Sequence, residues 1–147
     1  MTASVPKKYL TSVALVAFVL FALGVFYTIN RTQGPSLTVA GKNFRTETAD
    51  TQAEQERGLS GRESLAANSA MVFPFGNSGR QCFWMKDMKF SIDMVWLDAA
   101  NKVLAIENDV SPATYPINFC HEGQTVIEFA AHTARTTGIK IGNTVQL

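Results

Sequence analysis

Hydrophobic and polar positions divide the chain into two unlike parts. From Tyr9 to Ile29 the run YLTSVALVAFVLFALGVFYTI holds 21 residues without a charge, long enough to cross a bilayer as one helix. No polar stripe interrupts it to face water, so a buried helix of a soluble protein is not expected. Beyond Pro35 the pattern changes to short alternating segments bounded by Gly, Pro, Asn and Asp, as strands and turns are.

Within this second part Ser36 to Thr48 reads as a hairpin about Gly41-Lys42 at a sheet edge. Asp50-Thr51 caps a short helix over TQAEQER that stops at Gly58, and a further helical turn or two is expected within Leu59 to Asn68. MVFPF and QCFWM read as two strands joined by a loop at Gly76 to Gly79, with Pro74 marking an edge or a bulge. The clearest hairpin pairs SIDMVWLD with KVLAIE across Asp98 to Asn101. Asn108 to Gln124, with Pro112 and Pro116, is expected to be a long loop. TVIEFA forms a strand and AAHTARTT a short helix ended by Gly138. In IKIGNTVQL, Ile139, Ile141, Val145 and Leu147 share one parity, as in a half-buried closing strand. The expected fold is α+β and β-rich: a compact sheet or partly closed barrel of antiparallel hairpins with two or three short helices, preceded by one transmembrane helix.

Charge orients the apolar run. Lys7 and Lys8 precede it and Arg31 follows, which places the N-terminus in the cytoplasm and the remainder outside. A cleaved signal peptide fits less well, because the run exceeds the usual length of about 7 to 15 residues and no A-x-A-like site follows at Phe26 to Gly34. The expected organisation is a cytoplasmic N-terminus over 1–8, an anchor over 9–29, a linker over 30–35 and a periplasmic or cell-surface domain over 36–147. Of the 13 Lys and Arg in the chain, removing Lys7, Lys8 and Arg31 leaves ten in that domain, against all 12 Asp and Glu. A domain that is mildly acidic offers no electrostatic lure to nucleic acid.

Two cysteines, Cys82 and Cys120, lie in this exported part with no C-x-x-C spacing, which points to a disulfide. Closing the loop between them is worth about 4 kcal/mol by chain entropy. A Cys-His nucleophile is the sharper alternative, using Cys120 with His121 or Cys82 with His132, and an oxidised sulfur cannot serve in it. Cys82, Met85, Met88, Met94 and His121 are soft donors of the kind Cu(I) takes, although methionine as a gap filler explains the same residues.

Two acids stand among core-type residues. Strand alternation sets Asp93 with Val95 and Leu97, and Glu128 with Val126. A buried carboxylate needs hydrogen bonds or a cation, so Asp93 is expected to accept amides of the Lys86 to Lys89 turn or to pair with Arg57 or Arg62. Arg57, Arg62, Arg80 and Lys86 could converge on an anionic group beside the aromatic wall of Trp84.

Glu56-Arg57-Gly58-Leu59, Gly61-Arg62, Leu65, Met71-Val72-Phe73, Phe83-Trp84-Met85-Lys86-Asp87, Ile92-Asp93, Pro112, Val126-Ile127-Glu128, Gly138-Ile139 and Gly142 together resemble the domain of unknown function 192 family, over essentially all of Ser36 to Leu147. Ser60, Asp87-Met88 and Ser91 depart from its pattern. The resemblance implies a compact β-rich domain, often exported or membrane-tethered, with no established catalysis. The expected function is a membrane-anchored, non-catalytic small-ligand or protein binding or structural module. In it Arg57, Arg62, Trp84, Lys86 and Asp93 form a pocket or brace one. The alternative is an extracytoplasmic enzyme with Asp93 or Glu128 as base and Lys86 and Arg62 as an anion clamp. No cofactor or metal is expected. The expected partners are the membrane through 9–29 and a small ligand or envelope protein.

Overall fold

The computed structural model describes residues 18–20 and 34–147. The anchor expected over 9–29 and the linker over 30–35 lie outside the described residues, apart from 18–20 and 34–35. Among the described residues no helix is long and apolar enough to cross a membrane. The chain forms two units, Met1–Gly34 and Pro35–Leu147, and the second carries the fold.

Its elements run β1 (Ser36–Val39), β2 (Lys42–Thr48), α1 (Gln52–Arg57), β3 (Ser69–Phe83), β4 (Ile92–Leu97), β5 (Val103–Val110), a 3-10 turn (Pro112–Thr114), β6 (Phe119–Ala130) and α2 (Thr133–Thr137). The six strands make one sheet in the order β1-β2-β3-β6-β4-β5. It is one mixed sheet and not a closed barrel, and it is not built of antiparallel hairpins alone, because β2 and β3 run parallel. A parallel pair cannot be joined by a tight turn. The 49–68 segment, including α1, makes that crossover.

Local chemistry explains the elements that form as expected. The β1–β2 hairpin forms with its turn at Ala40-Gly41, one residue before the expected Gly41-Lys42; φ is 49° and 73° there, the positive values that a type I′ turn has at both positions. At α1, Thr51 and Glu54 form a reciprocal capping box, and Gly58 ends the helix by donating its N–H to the Glu54 carbonyl. At α2, Gly138 stops the helix in the left-handed region at φ 77°.

Four expectations are corrected. MVFPF and the QCF of QCFWM lie in one strand, β3, because β6 is long enough to pair with both, while Trp84 and Met85 lie past its end; the Gly76 to Gly79 stretch is absorbed as a register irregularity between Pro74 and Gly79. Pro74 lies beyond Val72, the last β3 residue paired with β2, where the strand needs no further donor on that side. Leu59 to Asn68 folds as turns, not helix. The loop expected over Asn108 to Gln124 contracts to Ser111 to Asn118, since β5 reaches Val110 and β6 starts at Phe119. The C-terminal segment makes only single bridges, Thr38 to Gln146 and Lys102 to Thr144. It buries Ile139 and Val145 while leaving Ile141 and Leu147 exposed.

Strand alternation sorts the core into two layers. Val72, Val95, Leu97, Ile127 and Phe129 meet Ala134, Ile139 and Val145 on one side of the sheet. Met71, Phe73, Met94, Trp96 and Val126 meet Ala49, Leu59 and Met85 on the other. β4 is therefore buried at every position. Cys82 and Cys120 face each other across β3 and β6 and form a disulfide, with Cα atoms 4.1 Å apart.

Asp93 lies fully buried in the α2 layer. Its Oδ1 accepts the N–H of Asp109 at 2.8 Å and that of His132 at 3.3 Å, and its Oδ2 accepts the Ala134 N–H at 2.7 Å. Its partners are thus amides at the end of β5 and the start of α2, not those of the Lys86 to Lys89 turn and not Arg57 or Arg62. Asp109 adds a second tie, accepting the His132 N–H at 2.8 Å and pairing with Arg135. Removing the Asp93 carboxylate leaves the Asp109 and Ala134 amides without an acceptor, at about 1 to 3 kcal/mol each. Asp93→Ala is expected to lower the unfolding free energy by about 2 to 5 kcal/mol in urea titration; a loss below about 1 kcal/mol would show that the staple is dispensable.

Candidate functional site

Glu128 occupies the other layer. Its cross-strand neighbours are Met71 on β3 and Met94 on β4, and its residue is 5% exposed. Oε2 is buried with no hydrogen-bond partner among the described residues, which is unusual for a buried polar atom.

The crossover segment roofs this carboxyl. A Cβ built on Gly58 would stand 3.4 Å from the Phe73 ring and 3.8 Å from Glu128 Oε2, and the φ of 48° there also disfavours a side chain. Gly58 thus ends α1 and lets the backbone pass close over the acid. Ser60 donates its hydroxyl to the Lys86 carbonyl at 2.8 Å, and the Gly61 N–H donates to the Asp87 carbonyl at 2.9 Å. These bonds tie the roof to the Lys86-Asp87 turn after β3.

Between roof and sheet lies a cavity of about 190 Å³. Phe73, Phe75, Phe83 and Trp84 supply its aromatic wall, and Glu128 lines its sheet side. Phe83 is the hub of that wall, edge-to-face with Phe73 at 5.0 Å and with Phe75 at 6.3 Å. Gln52, Gln55, Glu56 and Arg57 of α1 line the opposite side. Gln55 donates to the Pro74 carbonyl at 3.0 Å, and Gln52 to Glu56 at 2.8 Å. Arg57 is exposed and makes no ion pair among those of the described residues.

Burial in this apolar setting pushes the Glu128 carboxyl up to about 8, while the positive charge of Arg62 acts in the opposite direction. Arg62 does not reach across to it: both of its terminal nitrogens donate to Glu47 on β2, at 2.9 and 2.8 Å. Glu47 is correspondingly held below the usual carboxylate range by that hydrogen bond and charge. At pH 7 Glu128 is therefore a neutral carboxylic acid, suited to donate a hydrogen bond or a proton, where the sequence casts it as a base.

Of the residues singled out from the sequence, the fold brings Arg57, Trp84 and Glu128 to this cavity, together with Cys82 and Met88 of the soft-donor set. Arg62 influences it through charge alone. Lys86 borders a second hollow of about 310 Å³ with Tyr115, Pro116 and Asn118, and Trp84 lines both. Asp93 belongs to the opposite layer. Cys82 is oxidised and Met85 and Met94 are buried, so the thiolate of the soft-metal set is taken. Gln52 and Gln55 were not singled out, although their i, i+3 spacing marks a common helix face. Phe75 and Gln81 also line the cavity and carry no individual signal in the sequence.

A family model described as an uncharacterized ACR, DUF192, matches residues 36–147. No curated protein matches the chain. A solved structure of a protein of unknown function from Novosphingobium aromaticivorans is similar, with 27% identity and a TM-score of 0.72 over 76% of this chain and 84% of that one. A Sinorhizobium meliloti 1021 protein that carries a transcription-regulator name has 22% identity and a TM-score of 0.70 over 76% and 89%, a likeness of fold alone.

The raised pKa of Glu128 makes a stability prediction. Below about 4.5 both folded and unfolded chains hold this proton; from there up to about 8 only the folded chain does, so stability falls as pH rises through that window. By pH 7 the loss amounts to about 3 kcal/mol. Glu128→Gln is expected to remove most of this pH dependence, compared by urea titrations at pH 5 and pH 7.5. Equal pH dependence in the two proteins would contradict it.

Proposed function

The chain belongs to the DUF192 family, to which no reaction is attached, and on that premise we propose that it is a membrane-tethered, non-catalytic module that binds a small ligand outside the cytoplasm. The observation that carries this reading is the unmatched Glu128 carboxyl in an aromatic-walled cavity. A bound ligand would complete its hydrogen bonding, which the described residues leave undone. About 190 Å³ is smaller than the roughly 300 to 1,000 Å³ of pockets for drug-sized ligands. The cavity therefore suits a small molecule or the end of a longer one, and Trp84 leads from it to the Lys86 hollow.

Catalysis would need a second reactive group beside Glu128. Asp93 lies on the other side of the sheet, the cysteine sulfurs are bonded to each other, and Glu56 accepts from Gln52. The raised pKa of Glu128 favours, as second reading, an enzyme with this residue as general acid. The tether rests on the apolar run 9–29, and the outside placement on Lys7 and Lys8.

The binding reading is tested by a thermal-shift screen of the full chain in detergent with millimolar amino acids, sugars and short carboxylates. At least one class is expected to raise Tm by about 2 °C or more through mass action, and Trp84→Ala to lose the shift. A screen with no shift, or with shifts unchanged in Trp84→Ala, counts against the cavity. For placement, protease added to intact cells is expected to digest the 36–147 domain; protection until lysis would put it in the cytoplasm.

A further inference from the structure

Two unmatched groups of opposite character share the cavity. Among the described residues, Glu128 Oε2 is closed in without a partner, and Arg57 stands exposed on the α1 side without an acid. Resting on the reading of this cavity as a ligand site, we propose that it takes a small zwitterion, with the ammonium against Glu128 inside the aromatic wall and the carboxylate or phosphate on Arg57.

Four features select this chemistry. An acid buried without a donor is satisfied either by an acceptor that takes its proton or by a cation that displaces it. The surroundings favour the cation: Phe73, Phe75, Phe83 and Trp84 form the wall, and ring faces attract ammonium groups. Arg62 cannot supply the missing charge, being committed to Glu47 by two hydrogen bonds. A bare cation would meet the repulsion of Arg57, whereas a zwitterion offers Arg57 the anion that a guanidinium fork binds well. The charged groups facing Glu128 are Arg62 from the turn after α1, and Arg57 and Glu56 from α1 itself. Its neighbours on β3 and β4, Met71 and Met94, carry none.

Binding then releases one proton. The Glu128 carboxylic acid loses its proton to solvent as the ammonium arrives, and the ligand keeps its own charges. Affinity should tighten as pH rises, because only the ionised fraction of Glu128 accepts the ligand. With ionisation at about 8, the gain from pH 6 to pH 8 is about fifty-fold.

The test is calorimetric titration of the full chain, in a non-ionic detergent and amine-free buffer, with glycine, β-alanine, γ-aminobutyrate and O-phosphoethanolamine. The first three present the anion as carboxylate and the last as phosphate, so their ranking identifies the source. At least one is expected to bind more tightly than ethylamine or propionate, which carry one charge each. For the best aminocarboxylate, the pH gain should appear in the native chain and vanish in Glu128→Gln. Arg57→Ala should weaken the zwitterion about tenfold while leaving ethylamine no weaker. Should Glu128→Gln misfold, the zwitterion-against-ethylamine comparison in Arg57→Ala, on the exposed helix face, still tests the proposal. Failure of all four to bind below about 10 mM, or an affinity flat or falling with rising pH, overturns the proposal. If an uncharged sugar shifts Tm through Trp84 while these stay silent, the zwitterion fails and the binding site stands; if nothing binds, both fail.

Discussion

Strand β4 and the Thr125–Phe129 stretch of β6 are covered on both faces, so an acid on either must find its partner inside the protein instead of in water. Asp93 and Glu128 meet this constraint in opposite ways. Asp93 collects three backbone N–H groups from the end of β5 and the start of α2, and so holds one layer of the core to the sheet. Glu128, on the next strand and opposite Met94, points into the other layer and finds no donor for Oε2 among the described residues. The cost of burying a charge there is avoided by keeping the proton.

The parallel pairing of β2 with β3 creates the place where that acid lies. It requires a crossover, and the crossover brings α1, Gly58 and Leu59 over the sheet. Arg62 then clamps this segment to Glu47 on β2. Motif residues far apart along the chain converge as a result: Arg57, Gly58 and Leu59 form one side of the cavity, Phe83 and Trp84 another, and Glu128 the sheet side. Residues that carry the family resemblance are therefore also residues that shape the candidate site.

Much of the local structure was legible from side-chain chemistry. Thr51, Glu54 and Gly58 announce both ends of α1, and alternation in IDMVWL assigns each residue of β4 to its layer. Alternation also placed Asp93 and Glu128 among core residues. It could not tell which would be satisfied, since their partners come from segments distant in the chain. The glycines at 76 and 79 resemble a turn locally, but a long partner strand overrides that preference by pairing on both sides of it. The same holds for Asn108 to Gln124, whose two prolines leave its ends free to join β5 and β6.

By itself the sequence determined the apolar run, the β-rich character of the remainder, its helix caps, the cysteine pair and the two acids out of place in a core. These follow from the spacing and chemistry of neighbouring residues. Only the tertiary structure decided that β2 and β3 run parallel, that Arg62 belongs to Glu47, and that Arg57 and Trp84 share a cavity with Glu128 while Asp93 faces away. Each of these depends on strand order and on a crossover spanning the sheet, and such nonlocal choices rest on the total burial of the fold rather than on any one stretch of residues.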